Sequence, residues 1–408
     1  MKKISILDPS IISYNLGNEI ISESIYKFVN HYFSNSFTVK LQFTERLRKI
    51  SKKHIQSSDL TILAGTNSLS SKMLFLEQFP ISILDLFSMK NILLCGVGWF
   101  QYEDKPNFID KKIINHLLNN KFHHSVRDSY TFQMLNDSGV RNIINTSCPS
   151  VWDLTQEHLA SIPSKKADNV LFTLTDYNKS FENDKNLLKM LAKDYKNLFF
   201  WPQGLGDAKY FRSISEGYNV DVKIISPNLC SFDDFLQTVQ VDYIGNRLHA
   251  GIRAIQKGRR AHIISIDNRA HEISKDINLS STNNAAIIAD CLGRQYSVDG
   301  VKFLDRSHYV KSFQVSRNAF ELLNKEKIDV FAGSRNFLLP FDFDFREYPT
   351  KKNSIIKIII QFRSFNFLNF GEKEQETLTI PQSISNETDL YKNCYEKIEN
   401  FLKNCDIL

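Results

Sequence analysis

Arg247 and His249 stand two residues apart in IGNRLHAGIRAIQKG (residues 244–258), where an apolar strand ends and a helix begins. A helix N-terminus already presents partly positive N–H groups, so basic side chains there favour an anion. The planar arginine fork suits phosphate or carboxylate, and histidine exchanges protons near neutral pH. Together they predict a pocket for a small anion whose reaction needs acid–base help. A second turn follows in IISIDNRAHEI (263–273) and carries Asp267, Asn268, Arg269 and Glu272. If the two strands are parallel neighbours, both turns can share one ligand. The alternative is structural: Arg247 and Arg269 would pair with Asp242, Asp267 or Glu272, and His249 would fill the helix start.

A third arginine stands in SVRDSYTFQMLNDSGV (125–140), where Arg127 is placed to face a cleft and Asp128 reads as the cap of the following helix. The neighbouring His123 and His124 read as structural or surface residues. Glycine turns at NLGNE (15–19), AGTNS (64–68) and CGVGW (95–99) would let backbone N–H groups approach a ligand. None is a GxGxxG fingerprint or a GxxxxGK[ST] loop. Trp99, after the third turn, is a candidate for stacking on a sugar ring. Neither HExxH nor GxSxG occurs, which disfavours a conventional metalloprotease or serine hydrolase.

These residues must be held by an alternation of short β-rich runs and helical patterns, the signature of parallel sheets with crossover helices. Strands are expected at 3–7, 37–43, 60–65, 91–98 and 141–146, with helices at 17–31, 44–54, 110–120 and 129–138. The polar SIPSKKADN (161–169) separates this run from a second one. There, strands are expected at 170–175, 197–202, 221–226, 242–245 and 261–266, and helices at 181–195, 231–240, 247–257 and 269–276. The expected organisation is α/β: two Rossmann-like domains, 1–163 and 164–305, then a crossing helix and C-terminal appendage over 306–408. Two such domains facing each other would form a cleft at the carboxyl ends of their strands.

The bulk composition fits. At 408 residues, with 42% hydrophobic and 24% charged side chains, the chain can fill more than one core. A net charge of +6 without a basic stripe argues against a nucleic-acid partner. The six cysteines show no CxxC or zinc-like spacing, so no metal site is expected. The N-terminus lacks the apolar run of a secretory signal, which points to a cytoplasmic protein with reduced thiols. The run IIKIIIQF (355–362) is too short to span a membrane and reads as a buried strand, although Lys351, Lys352, Lys357 and Arg363 leave peripheral membrane contact open. The abundance of Ile, Lys and Asn suggests an AT-rich bacterial source.

The motifs NLGNE, SVRDSYT with LNDSGV, CPSVWDL, and above all GNRLHAGIRAIQKG followed by IISIDNRAHEI, resemble those of the polysaccharide pyruvyl transferase family over roughly residues 5–300. The resemblance implies a glycosyltransferase-B-like fold and transfer of pyruvate from phosphoenolpyruvate to a sugar as a ketal, with no other cofactor. It further implies His249 and Arg247 as catalytic residues, Arg127, Arg247, Asn268 and Arg269 at the donor, and Asn15, Asn18, Glu19 and Trp99 toward a glycan, lipid-linked or nucleotide-linked acceptor. Such an enzyme would serve capsule or exopolysaccharide synthesis at the inner face of the membrane. Two departures stand out: Gly17-Asn18-Glu19 replaces the family's usual Gly-Asp, and a lone Gly65 replaces a multi-glycine run. A nucleotide-sugar glycosyltransferase is the rival reading, with Glu272 as its ribose carboxylate; a binding protein without activity is the third.

Overall fold

In the computed structural model, the residues described are 1–282 apart from 90, 119–121, 219, 278 and 280. The crossing helix expected at 307–327, the strand at 355–362 and the appendage over 306–408 lie outside them.

The first half contains β1 (Lys2–Leu7), α1 (Gly17–Tyr32), β2 (Ser36–Leu41), α2 (Lys49–Ser57), β3 (Leu60–Ala64), β4 (Asn67–Leu69), α3 (Ile83–Leu86), β5 (Ile92–Cys95), β6 (Gly98–Trp99), α4 (Phe108–Leu117), β7 (His124–Val126), α5 (Ser129–Asp137), β8 (Ile143–Asn145) and α6 (Gln156–Ala160). The second contains β9 (Asn169–Thr173), α7 (Phe181–Asp194), β10 (Asn197–Phe200), α8 (Asp207–Ser215), β11 (Val222–Ile224), α9 (Leu229–Thr238), β12 (Val241–Gly245), α10 (Leu248–Gln256), β13 (Ala261–Ile264), α11 (Asn268–Ile277) and β14 (Ser281–Thr282). Among the described residues every strand pair is parallel, as expected of the α/β protein the alternation predicts.

The first sheet has the order β2-β1-β3-β5, and the second β11-β10-β9-β12-β13-β14. In the second, strand order reverses between β9 and β12, which pair Thr173 with Gly245 at their carboxyl ends. In the first, it reverses between β1 and β3. Loops leaving an open parallel sheet diverge at such a switch point, and the crevice left there is where ligands bind. Arg247 and His249 follow β12, and the NLGNE turn lies between β1 and α1.

The two halves share a core. Ile21, Ile25 and Phe28 of α1 belong to the same buried cluster as Leu248, Ala250, Ile252 and Ile255 of α10. Helix α10 is buried from Leu248 through Ile255, which only a helix clasped on several sides can achieve. At its far end Arg253 pairs with Glu23 of α1 and with Asp233 of α9. The N-terminus of α10 is therefore fixed relative to both sheets.

Several elements differ from expectation, two of them markedly. α2 begins at Lys49 rather than residue 44, and α8, with Tyr210, Phe211 and Ile214 buried, was not anticipated.

His262, buried on β13, has its pKa lowered by burial to about 4. Between that value and about 6.5 the unfolded chain binds a proton that the folded chain refuses. Its contribution to stability is thus complete above about pH 6.5 and lost as pH falls, by about 3 kcal/mol at pH 4. Denaturant titrations from pH 7 to pH 4 are expected to show this decline, and His262→Leu to flatten it.

Candidate active site at the interface of the two sheets

Arg127, Asp128 and Cys148 reach the interface from the first half, and Arg247, His249, Asp267 and Arg269 from the second. Asp128 is the predicted cap: its Oδ1 accepts from Thr131 N at 2.7 Å, and its Oδ2 accepts from Arg127 Nε at 3.1 Å. Arg127 is 1% exposed and lies against Gly98, where a Cβ would overlap the guanidinium. Glycine in CGVGW is thus required by the arginine's close approach. Arg127 Nη2 has no hydrogen-bond partner, and the same is true of Arg269 Nε. Arg269 is anchored by Asp267, its Nη2 donating to Oδ2 at 2.9 Å.

His249 sits in the first turn of α10, 3% exposed. Burial, reinforced by the positive charges of Arg269 and Arg127, holds its pKa well below the usual imidazole value, so the resting imidazole is neutral. Burial lowers the pKa of Arg127, and Arg269 pushes the same way while Asp128 opposes. For Arg269, burial also favours the neutral form, but Asp267, Tyr177 and Cys148 together outweigh it and the net shift is upward. Two guanidinium groups, one from each half, therefore repel each other beside a neutral imidazole in a buried interface. An anion is the partner this arrangement lacks.

Cys148 completes the cluster. Its Sγ lies 3.6 Å from His249 Nε2 and accepts from Ser150 Oγ at 3.1 Å. Burial raises the thiol pKa, so it stands as a neutral S–H. Since the Ser150 hydroxyl already donates to sulfur, the thiol proton is available to His249.

Arg247 is placed differently from expectation. Its guanidinium forms a paired contact with the buried Asp207, with Nε at 3.0 Å from Oδ2 and Nη2 on Oδ1, and a longer one to Asp176 at 3.4 Å. It lies over the Tyr177 ring, 4.9 Å from the centroid. Both arginines thus make ion pairs of the kind the structural alternative has: Arg269 with Asp267, as named there, and Arg247 with Asp207 and Asp176 rather than Asp242, Asp267 or Glu272. Gly204 makes room for it, since a Cβ there would overlap Nη2.

Asn268 Nδ2 donates to the Trp99 carbonyl at 3.4 Å, crossing between the halves. Trp99 itself is 0% exposed, with its indole N–H donating to Glu103 Oε2 at 2.6 Å. No ring face is open, and the expectation that Trp99 stacks on a sugar is corrected. Asn15 Oδ1 accepts from Gln203 Nε2 of the second half at 2.8 Å and from Gly17 N at 3.0 Å. Asn18 donates to Pro9 O and Ser13 Oγ inside its own loop, and Glu19 lies in the first turn of α1. These asparagines shape the loop that crosses to Gln203. Glu272, the carboxylate a nucleotide ribose would need, accepts from the Tyr102 hydroxyl at 2.6 Å. Among the described residues, no group of three or more His, Cys, Asp or Glu side chains is arranged to hold a metal, and no helix is long and apolar enough to cross a membrane.

Sequence reasoning missed Cys148, Tyr177 and Asp207. Cys148 was within a recognised motif, but its contact with His249 spans 101 residues and leaves no local trace.

Asp207 without its partner would be a buried, uncompensated carboxylate. Arg247→Ala is expected to destabilise the fold by about 3–5 kcal/mol, and Asp207→Ala comparably. Chemical denaturation of the two variants and their double mutant, which should be less than additive, checks this.

The chain resembles several solved structures at low identity. S. aureus MnaA, in a co-structure with UDP, is 13% identical with a TM-score of 0.47, covering 81% of this chain and 100% of that one. The Methanocaldococcus jannaschii UDP-GlcNAc 2-epimerase, in complex with UDP-GlcNAc and UDP, is 11% identical with a TM-score of 0.45, covering 77% and 99%. The wall teichoic acid polymerase TagF is 14% identical with a TM-score of 0.37, covering 79% and 88%. Among curated proteins none matches. The family described as Polysaccharide pyruvyl transferase matches residues 15–268, a span that runs from the NLGNE turn to the start of α11 and encloses Arg127, Cys148, Arg247 and His249. The chain belongs to the polysaccharide pyruvyl transferase family.

Proposed function

We propose that the protein transfers pyruvate from phosphoenolpyruvate to a sugar of a surface polysaccharide or its precursor, forming a cyclic ketal. The observation that carries this reading is the pair of buried guanidinium groups, Arg127 and Arg269, with Nη2 and Nε unpartnered beside a neutral His249. Phosphoenolpyruvate carries its phosphate on C2 and its carboxylate at the adjacent C1, a match for two guanidinium groups and one proton donor at one spot.

In this reading Arg127 and Arg269 hold the donor, with Asn268 beside them. Its negative charge offsets theirs, which raises the proton affinity of His249 once the donor is bound. The imidazolium then protonates the methylene carbon, C2 becomes cation-like, and a sugar hydroxyl adds there. The imidazole accepts the hydroxyl proton. Phosphate leaves with the C2–O electron pair, a second hydroxyl of the same sugar closes the ring, and its proton passes to the departing phosphate. The Cys148 thiol, 3.6 Å from His249 Nε2, orients the imidazole. Arg247, bound to Asp207, supports this site from behind Tyr177 rather than facing the donor.

Mass spectrometry after incubation with phosphoenolpyruvate and candidate lipid-linked or nucleotide-linked sugars should find a pyruvate ketal and free phosphate; a glycosylated product formed from a nucleotide sugar would contradict the reading. Calorimetric titration with phosphoenolpyruvate at about pH 8, where the donor itself is ionised, should show net proton uptake that His249→Ala abolishes. Arg127→Ala and Arg269→Ala should each weaken donor binding on the order of 10- to 100-fold. Lysine at either position should not restore it, because an ammonium lacks the planar fork.

A further inference from the structure

With Trp99 enclosed, the sugar needs another surface, and Tyr177 offers one. It follows β9 at the switch point of the second sheet. The residue is 53% exposed, yet burial raises the pKa of its hydroxyl. That combination marks a side chain lining a cleft, crowded by protein on one side and open on the other. Three contacts fix it: the hydroxyl donates to Asp267 Oδ2 at 3.2 Å and accepts from Arg269 Nη2 at 3.4 Å, and Arg247 covers one ring face.

A tyrosine needed only as a spacer between arginines would be enclosed, as Tyr243 is at 0% exposure with its hydroxyl on Thr173 and Arg247 O. Two carboxylates flank the open ring, Asp176 with its side chain 37% exposed and Asp267 with 24%. An aromatic face beside carboxylate oxygens is the complement of a pyranose, whose C–H face stacks while its hydroxyls donate. Arg269 joins the two sites directly, touching Tyr177 and acting on His249.

We propose that Tyr177 is the platform on which the acceptor pyranose stacks, with Asp176 and Asp267 accepting its hydroxyls, so that the acceptor rests on the second half of the chain. This assignment rests on the pyruvyl-transfer reading for its role, but the sugar site is testable alone. Saturation-transfer NMR of the full-length protein with methyl β-D-galactopyranoside, methyl β-D-glucopyranoside and uridine, run separately, is the direct measurement. Saturation of the ring C–H protons of at least one glycoside is expected in the wild type, falling about tenfold in Tyr177→Leu and retained in Tyr177→Phe. Equal saturation in Tyr177→Leu would overturn the proposal, as would loss in Tyr177→Phe as deep as in Tyr177→Leu, or a Tyr177-dependent signal from uridine alone. Phosphoenolpyruvate titration of the same variants separates the two claims. Glycoside binding without donor binding sinks the pyruvyl-transfer reading and leaves the platform standing. Donor affinity lost equally in both variants identifies Tyr177 as a support for Arg269 and overturns the platform.

Discussion

Like charges held together out of water govern this structure. Arg127 and Arg269 lie close enough to depress the pKa of His249 jointly, and each retains a buried N–H group without a partner. Unsatisfied buried donors cost on the order of 1–3 kcal/mol each, more when charged. The fold therefore holds the cluster against its own repulsion. Asp128 and Asp267 each offset one guanidinium locally, and the core shared by α1 and α10 keeps the halves closed on the cluster. What remains unsatisfied is the capacity to bind an anion.

The division of labour among the arginines follows from their partners. A guanidinium matched on two edges by a buried carboxylate, as Arg247 is by Asp207, has its charge met within the protein and serves as framework. One whose carboxylate leaves N–H groups unpartnered keeps a vacancy in its hydrogen bonding, and Arg127 and Arg269 are of that kind. The interface is laced on several sides, by Asn15 to Gln203, Asn268 to Trp99 and Tyr102 to Glu272. Those bonds set how closely the two sheets can approach, and hence the separation of Arg127 and Arg269.

Much of this was legible in the residues. Hydrophobic alternation located the central strands of both sheets, and the strand–glycine–helix rhythm placed Arg247, His249 and Arg269 at strand ends, where the structure has them. Capping chemistry identified Asp128 correctly because it is local, decided within three residues. The rest depends on long-range packing. Nothing near Trp99 distinguishes an exposed stacking ring from an enclosed one, and its burial follows from the elements that close over it. Asp207 acquires meaning only when the loop after β10 meets the loop after β12, forty residues away. Helix α8 escaped notice because only three apolar residues, Tyr210, Phe211 and Ile214, mark its buried stripe and Gly204 and Gly206 precede it.

A crystal structure with phosphoenolpyruvate bound tests the central claim most directly. Phosphate and carboxylate oxygens within hydrogen-bonding distance of Arg127 Nη2 and Arg269 Nε, with the methylene carbon toward His249, are predicted. Donor density away from these three side chains, or the two guanidinium groups turned aside to new protein partners, would contradict it.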